Sequence, residues 1–205
     1  MEQVINKKVN ELSKTGELVQ IILIILGALL VPAVLPQLLQ VIFGKTSAIA
    51  SNSQIIVGSI VNTALIITGV NVKGWRKLIL IATLPSLSAI GSGYIFGSLT
   101  KATIFMIPGI WFGNFSLIIL MKELYANREM NYIISAIIAI VVKVSIIFGV
   151  LNIWMAISVL PNQGAIATTL KNTMGLTQLI TASIGACISM LIIKLVFNRN
   201  TEKRS

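Results

Sequence analysis

The chain has no histidine, no aspartate and a single cysteine, Cys187; its six acidic residues are all glutamate. These absences remove the usual ligand sets for zinc, haem and iron–sulfur centres, and every histidine-based nucleophilic triad. One cysteine cannot close an intramolecular disulfide. Charge of either sign is scarce at 11% of residues, whereas 56% are hydrophobic and the mean hydropathy is +0.93. That balance describes a membrane protein, and 205 residues leave little beyond loops and tails once the bilayer has been crossed several times.

Apolar runs bounded by charged or turn residues occur at Leu18–Ile42, Gln54–Val70, Leu78–Leu99, Ala102–Met121, Tyr132–Leu160 and Leu176–Phe197. The runs are continuous rather than alternating, which excludes a membrane β-barrel and predicts an all-α bundle of six transmembrane helices. The third and fourth runs are separated only by Thr100 and Lys101, so a tight helical hairpin is expected there. The chain divides into an N-terminal tail (1–17), a membrane domain (18–197) and a basic C-terminal tail (198–205). Ile5, Val9 and Leu12 fall on one helical face beside Lys7, Lys8 and Lys14, which reads as a short interfacial helix or as a frayed tail.

Cations set the expected orientation. Lys7, Lys8 and Lys14 lie in the N-terminal tail, Lys73, Arg76, Lys77, Lys122 and Arg128 in the even-numbered loops, and Lys194, Arg199, Lys203 and Arg204 at the C-terminal end. The alternate loops hold only Lys45, Lys101 and Lys171. Both termini are therefore expected in the cytoplasm of a multi-pass cell-membrane protein. The net charge of +10 is then a topology signal and a match to anionic lipid, not a sign of a nucleic-acid partner.

Inside the runs, Lys143 stands out. It lies roughly 18 Å from the inner end of the fifth run, too deep for its side chain to reach the interface easily. Every glutamate lies in a tail or a cytoplasmic loop, so no carboxylate in a predicted span can pair with Lys143. An intramembrane lysine of this kind must contact water, backbone carbonyls or hydroxyls, lose its proton, or meet an anionic ligand; the structural alternative to a ligand or cavity role is a shifted helix register that lets it snorkel. Asn62, Asn114, Trp111, Gln178 and Thr181 complete the candidate binding set. Each of the amides is equally suited to bonding between helices. Gln178, Thr181, Gly185 and Ser189 share one helical face, and Asn152 should face away from Lys143. Ala89, Gly93 and Gly97 recur at four-residue spacing and predict a close-packed helix face. Pro32, Pro36, Pro85 and Pro108 fall inside predicted spans, where each removes a helix hydrogen bond; such kinks either only shape helix packing or, four together, border a central cavity.

Energy for uphill transport is not visible. The spans hold no proton-relay or sodium-site carboxylate, and Gly44-Lys45-Thr46 lacks the earlier glycine of a P-loop, where Leu39 stands. No nucleophile–base set is visible for an enzyme, and no cofactor or metal is expected.

Four segments carry a family resemblance: Gln54–Leu65 (QIIVGSIVNTAL), Leu84–Gly93 (LPSLSAIGSG), Met106–Leu117 (MIPGIWFGNFSL) and Leu176–Gly185 (LTQLITASIG). Together with the intramembrane Lys143, they resemble a bacterial family similar to the substrate-binding (S) components of energy-coupling factor transporters. The resemblance implies a vitamin or small-metabolite site near the outer side, a gate around residues 46–53, and a coupling subunit with ATPases as partners. The chain departs from the family in one respect: Gly27, Ala28 and Ala33 do not give the small-residue spacing that many S components carry on the first helix. A stand-alone channel, binding protein or assembly subunit without an ATPase is the alternative.

Overall fold

The computed structural model describes residues 14–96 and 99–197. Both tails' outer portions, including the interfacial segment around Ile5, Val9 and Leu12, lie outside the described residues. Among the described residues all regular structure is helical. The elements are α1 (Lys14–Phe43), α2 (Ala48–Ser51), α3 (Ser53–Asn71), α4 (Trp75–Ser92), α5 (Thr100–Ile104), α6 (Ile107–Leu120), α7 (Tyr132–Ala156), α8 (Gly164–Met174) and α9 (Leu176–Phe197). A π-helical segment, Met121–Asn127, prolongs α6.

Five helical stretches are long and apolar enough to cross a bilayer: Leu18–Phe43, Ser53–Asn71, Ile107–Asn127, Tyr132–Ala156 and Gly164–Leu195. Their outward faces carry large apolar side chains such as Leu23, Val41 and Leu195, 63%, 82% and 67% exposed. A water-soluble fold does not present such continuous apolar surface; lipid solvates it. The protein is thus a multi-pass helical membrane protein.

The remaining expected span is shorter than its apolar run. α4 begins with Trp75, Arg76 and Lys77 and stops at Ser92, because Gly93 turns into the left-handed region at φ +70° and caps the helix. Ala89 and Gly93 therefore do not continue one helical face, and Gly97 lies outside the described residues. Ala89 is buried, but a Cβ on Gly93 would meet no atom within 4 Å. The glycine spacing marks a helix stop here, not a packing face. The expected tight hairpin is likewise opened by the turn at 93–96 and the short α5. Pro108 sits in the first turn of α6, where a proline removes no intrahelical bond, while Pro32, Pro36 and Pro85 are interior to α1 and α4.

The fifth run ends at Ala156 rather than Leu160, as the Val159 and Leu160 amides both turn back to the Trp154 carbonyl. α8 occupies a stretch that reads as loop in the sequence. Its Ala167, Leu170 and Met174 pack onto Met106, Ile110, Ile147 and Leu151 to form a separate apolar cluster at one end of the bundle. The main core joins α3, α4, α6, α7 and α9 through Leu65, Ile66, Ala82, Leu117, Ile140 and Ala182.

The most extensive helix pairings are α3 with α9, α6 with α7, and α1 with α4. Tyr132 ties the start of α7 to α9, its hydroxyl donating to the Ala186 carbonyl at 2.8 Å. The same helix is capped by Asn131, whose Oδ1 accepts from the Ile133 and Ile134 amides at 2.9 and 3.4 Å. Asn131→Ala is expected to lower stability by about 1 kcal/mol, read as a lower thermal midpoint of the detergent-purified protein.

Candidate functional site

Two close approaches build the interior. In α3 and α9, Gly58 and Gly185 face the partner helix: a Cβ on Gly58 would lie 2.9 Å from Thr181 Cγ2, and one on Gly185 would lie 2.6 Å from Asn62 Cβ. The absence of those two carbons lets the helices touch and sets Thr181 beside Asn62. Across α6 and α7, Gly113 admits Ile147, which would sit 2.7 Å from an added Cβ. That approach brings α7, and Lys143 with it, against the centre of the bundle.

Lys143 is 2% exposed and donates from Nζ to Asn62 Oδ1. Asn62 in turn uses both amide hydrogens, on the Gly58 carbonyl at 2.8 Å and on Thr181 Oγ1 at 3.2 Å. Thr181 Oγ1 donates to the Gln178 carbonyl at 3.2 Å. A chain of polar groups thus runs from α7 through α3 to α9, oriented so that every donor but the ammonium is committed. An ammonium has three donors, and one of Lys143's is used among the described residues.

These groups line a cavity of about 80 Å³. Lys143, Asn62, Asn114, Gln178 and Thr181 all border it. Residues from four helices, separated by up to 119 positions, are therefore assembled at one point. Trp111 is placed one step outside: its Nε1 donates at 2.8 Å to Ser86 Oγ, and Ser86 lines the cavity. Asn114 donates to the Ala82 carbonyl of α4 at 3.0 Å. Asn152, in contrast, is exposed and bonds within its own helix to the Phe148 carbonyl at 2.7 Å.

Gln54 escapes the sequence reading. It lines the cavity, and its Nε2 is buried without a hydrogen-bond partner among the described residues. A signal for it exists, since Gln54, Gly58 and Asn62 follow one another at single-turn spacing on α3. Its position beside Ser51, Asn52 and Ser53 made it resemble the polar boundary of a span. Thr177 and Ser86 join the lining in the same way.

The chemistry on offer is recognition. An ammonium with unused donors and an unsatisfied amide N–H converge on a small space walled by Pro32, Val57, Ile95 and Ile110. The Lys143 ammonium and the Gln54 Nε2 both present donors to this space, so a carboxylate or another acceptor-rich group complements them, and apolar walls strengthen each polar contact. The cavity holds a few waters' worth of space, so a metabolite-sized solute requires the surrounding helices to part. No protein-family model, curated protein or solved structure matches this chain.

Proposed function

We propose that the chain is the membrane-embedded solute-binding component of an importer for a vitamin or small metabolite, energised by a separate ATPase module. The reading is carried by Lys143: a buried cation without a carboxylate partner among the described residues, held by Asn62 against a cavity where one of the lining amides, Gln54, also lacks an acceptor for its Nε2. Burying an ammonium is costly, and a site that also leaves donors unused is organised for a ligand rather than for stability.

In this proposal α4 supplies the sixth crossing. Its 18 residues span about 27 Å, close to the hydrocarbon thickness once Arg76 and Lys77 reach the interface. Both termini then lie in the cytoplasm of the cell membrane, and the segment around α2, between α1 and α3, borders the outer entrance as a gate. The partners are a coupling subunit and ATPases; the resemblance in the four short segments supports this choice over a stand-alone channel, binding protein or assembly subunit.

The deciding experiment is an affinity pull-down of the tagged protein from its native host in mild detergent, followed by mass spectrometry. Recovery of an ATPase pair with a second membrane subunit is expected. A clean protein without partners, after solubilisation controls, would favour the stand-alone reading.

A further inference from the structure

Among the described residues, three buried side-chain atoms have no hydrogen-bond partner, and one of them is the Lys73 ammonium. An ion removed from water without a counter-charge is far more costly than an orphaned amide, so this lysine marks a place for an anion. Lys73 lies in the link between α3 and α4. Beside it stands a second cation: Lys122, in the π-helical segment after α6, donates to the Val72 carbonyl at 2.8 Å and feels the charge of Lys73. The carboxylate next to Lys122 in the chain, Glu123, is turned away to Arg128 and Asn127, both at 2.9 Å.

The same end of the bundle opens into a cleft of about 630 Å³ between α1, α3, α4 and α9. Gln20, Asn71 and Val72 line its mouth, and Val31, Ile60 and Pro85 line its deeper part. Its walls are overwhelmingly apolar, and Leu23, on its edge, is 63% exposed, so the cleft faces the lipid sideways. We infer that this cleft holds an acyl chain of an anionic phospholipid whose phosphate sits between Lys73 and Lys122. A zwitterionic lipid brings its own cation to the lysine pair, a free anion leaves the cleft unused, and a partner helix does not answer the buried charge. The anionic lipid alone matches both the head and the wall.

The test uses the full chain, delipidated in neutral detergent, with phosphatidylglycerol and phosphatidylcholine of identical acyl chains. Bound lipid is counted by native mass spectrometry, and the thermal midpoint is followed in parallel. Phosphatidylglycerol is expected to bind at least about fivefold more tightly, and Lys73→Gln to remove about fivefold of that affinity. Gly27→Leu should weaken both lipids, because Gly27 lines the cleft and a Cβ there meets no atom within 4 Å, so the added side chain fills the space without disturbing the helix. Lys73→Arg, which keeps the charge, should retain the preference and serves as the folded comparison if Lys73→Gln does not purify. Equal binding of the two lipids, or unchanged selectivity in Lys73→Gln, would overturn the inference. An equal midpoint shift from inorganic phosphate alone would overturn the lipid and leave a free-anion site.

Discussion

Replacing Lys143 with Met is expected to reduce solute capture by about 100-fold while leaving the protein inserted and folded. Met has nearly the length of the lysine stem and no charge, so the substitution removes a desolvation penalty and strands no carboxylate. What it strands is Asn62 Oδ1, at a cost of about 1–3 kcal/mol, set against the relief of the buried ion. Asn62 keeps its bonds to the Gly58 carbonyl and Thr181, so its side chain stays in place. Stability should therefore change little, and binding a great deal, since an acceptor group on the solute loses its one ionic donor in an apolar surround. The measurement is the amount of small molecule co-purifying with each variant, quantified by mass spectrometry and paired with uptake by cells. Asn152→Ala, on the exposed face of the same helix, serves as the comparison and should behave as the parent does. Equal solute on the Met variant would remove Lys143 from the site and the importer proposal with it.

The membrane character of α1, α3, α6, α7 and α9 is legible in the sequence because lipid imposes one solution: a backbone that satisfies its own hydrogen bonds under a continuous apolar coat. Lys143 was legible for the complementary reason, since a cation amid such a run stands out. The helical angle also places Thr181, Gly185 and Ser189 together, and all of them are buried against neighbouring helices. Other features share their letters with something else. A glycine four residues after Ala89 spells a packing face as well as it spells a helix stop, and only the left-handed φ of Gly93 distinguishes them. The eleven residues of α8 are too few for a hydropathy window, and their polar Thr168, Thr169 and Lys171 conceal the apolar stripe of Ala167, Leu170 and Met174. The pairing of α3 with α9 joins residues more than a hundred positions apart, a relation that no local pattern contains.

That pairing is the basis of the other large expected effect. Gly185→Val should destabilise the protein by about 3 kcal/mol or more, seen as a sharply lower thermal midpoint or as loss of monodisperse protein after detergent extraction. Already the first added carbon would stand 2.6 Å from Asn62 Cβ, 2.9 Å from the Thr63 nitrogen and 3.0 Å from the Ser59 carbonyl oxygen. Two of these are backbone atoms, so no rotamer change relieves the clash and the two helices must separate. Separation stretches the Thr63 Oγ1 bond to the Gly185 carbonyl, 3.3 Å, and the Asn62 bond to Thr181. It also carries Asn62 away from Lys143, so residual folded protein should lose solute as Lys143→Met does. Gly149→Ala, at a helix-interior glycine whose Cβ would meet nothing within 4 Å, should leave the midpoint unchanged or raise it slightly. A Gly185→Val protein that melts with the parent would mean that α3 and α9 do not approach this closely. The bond from Asn62 to Thr181 would then lack its scaffold, and a cavity organised around Lys143 would have no structural basis.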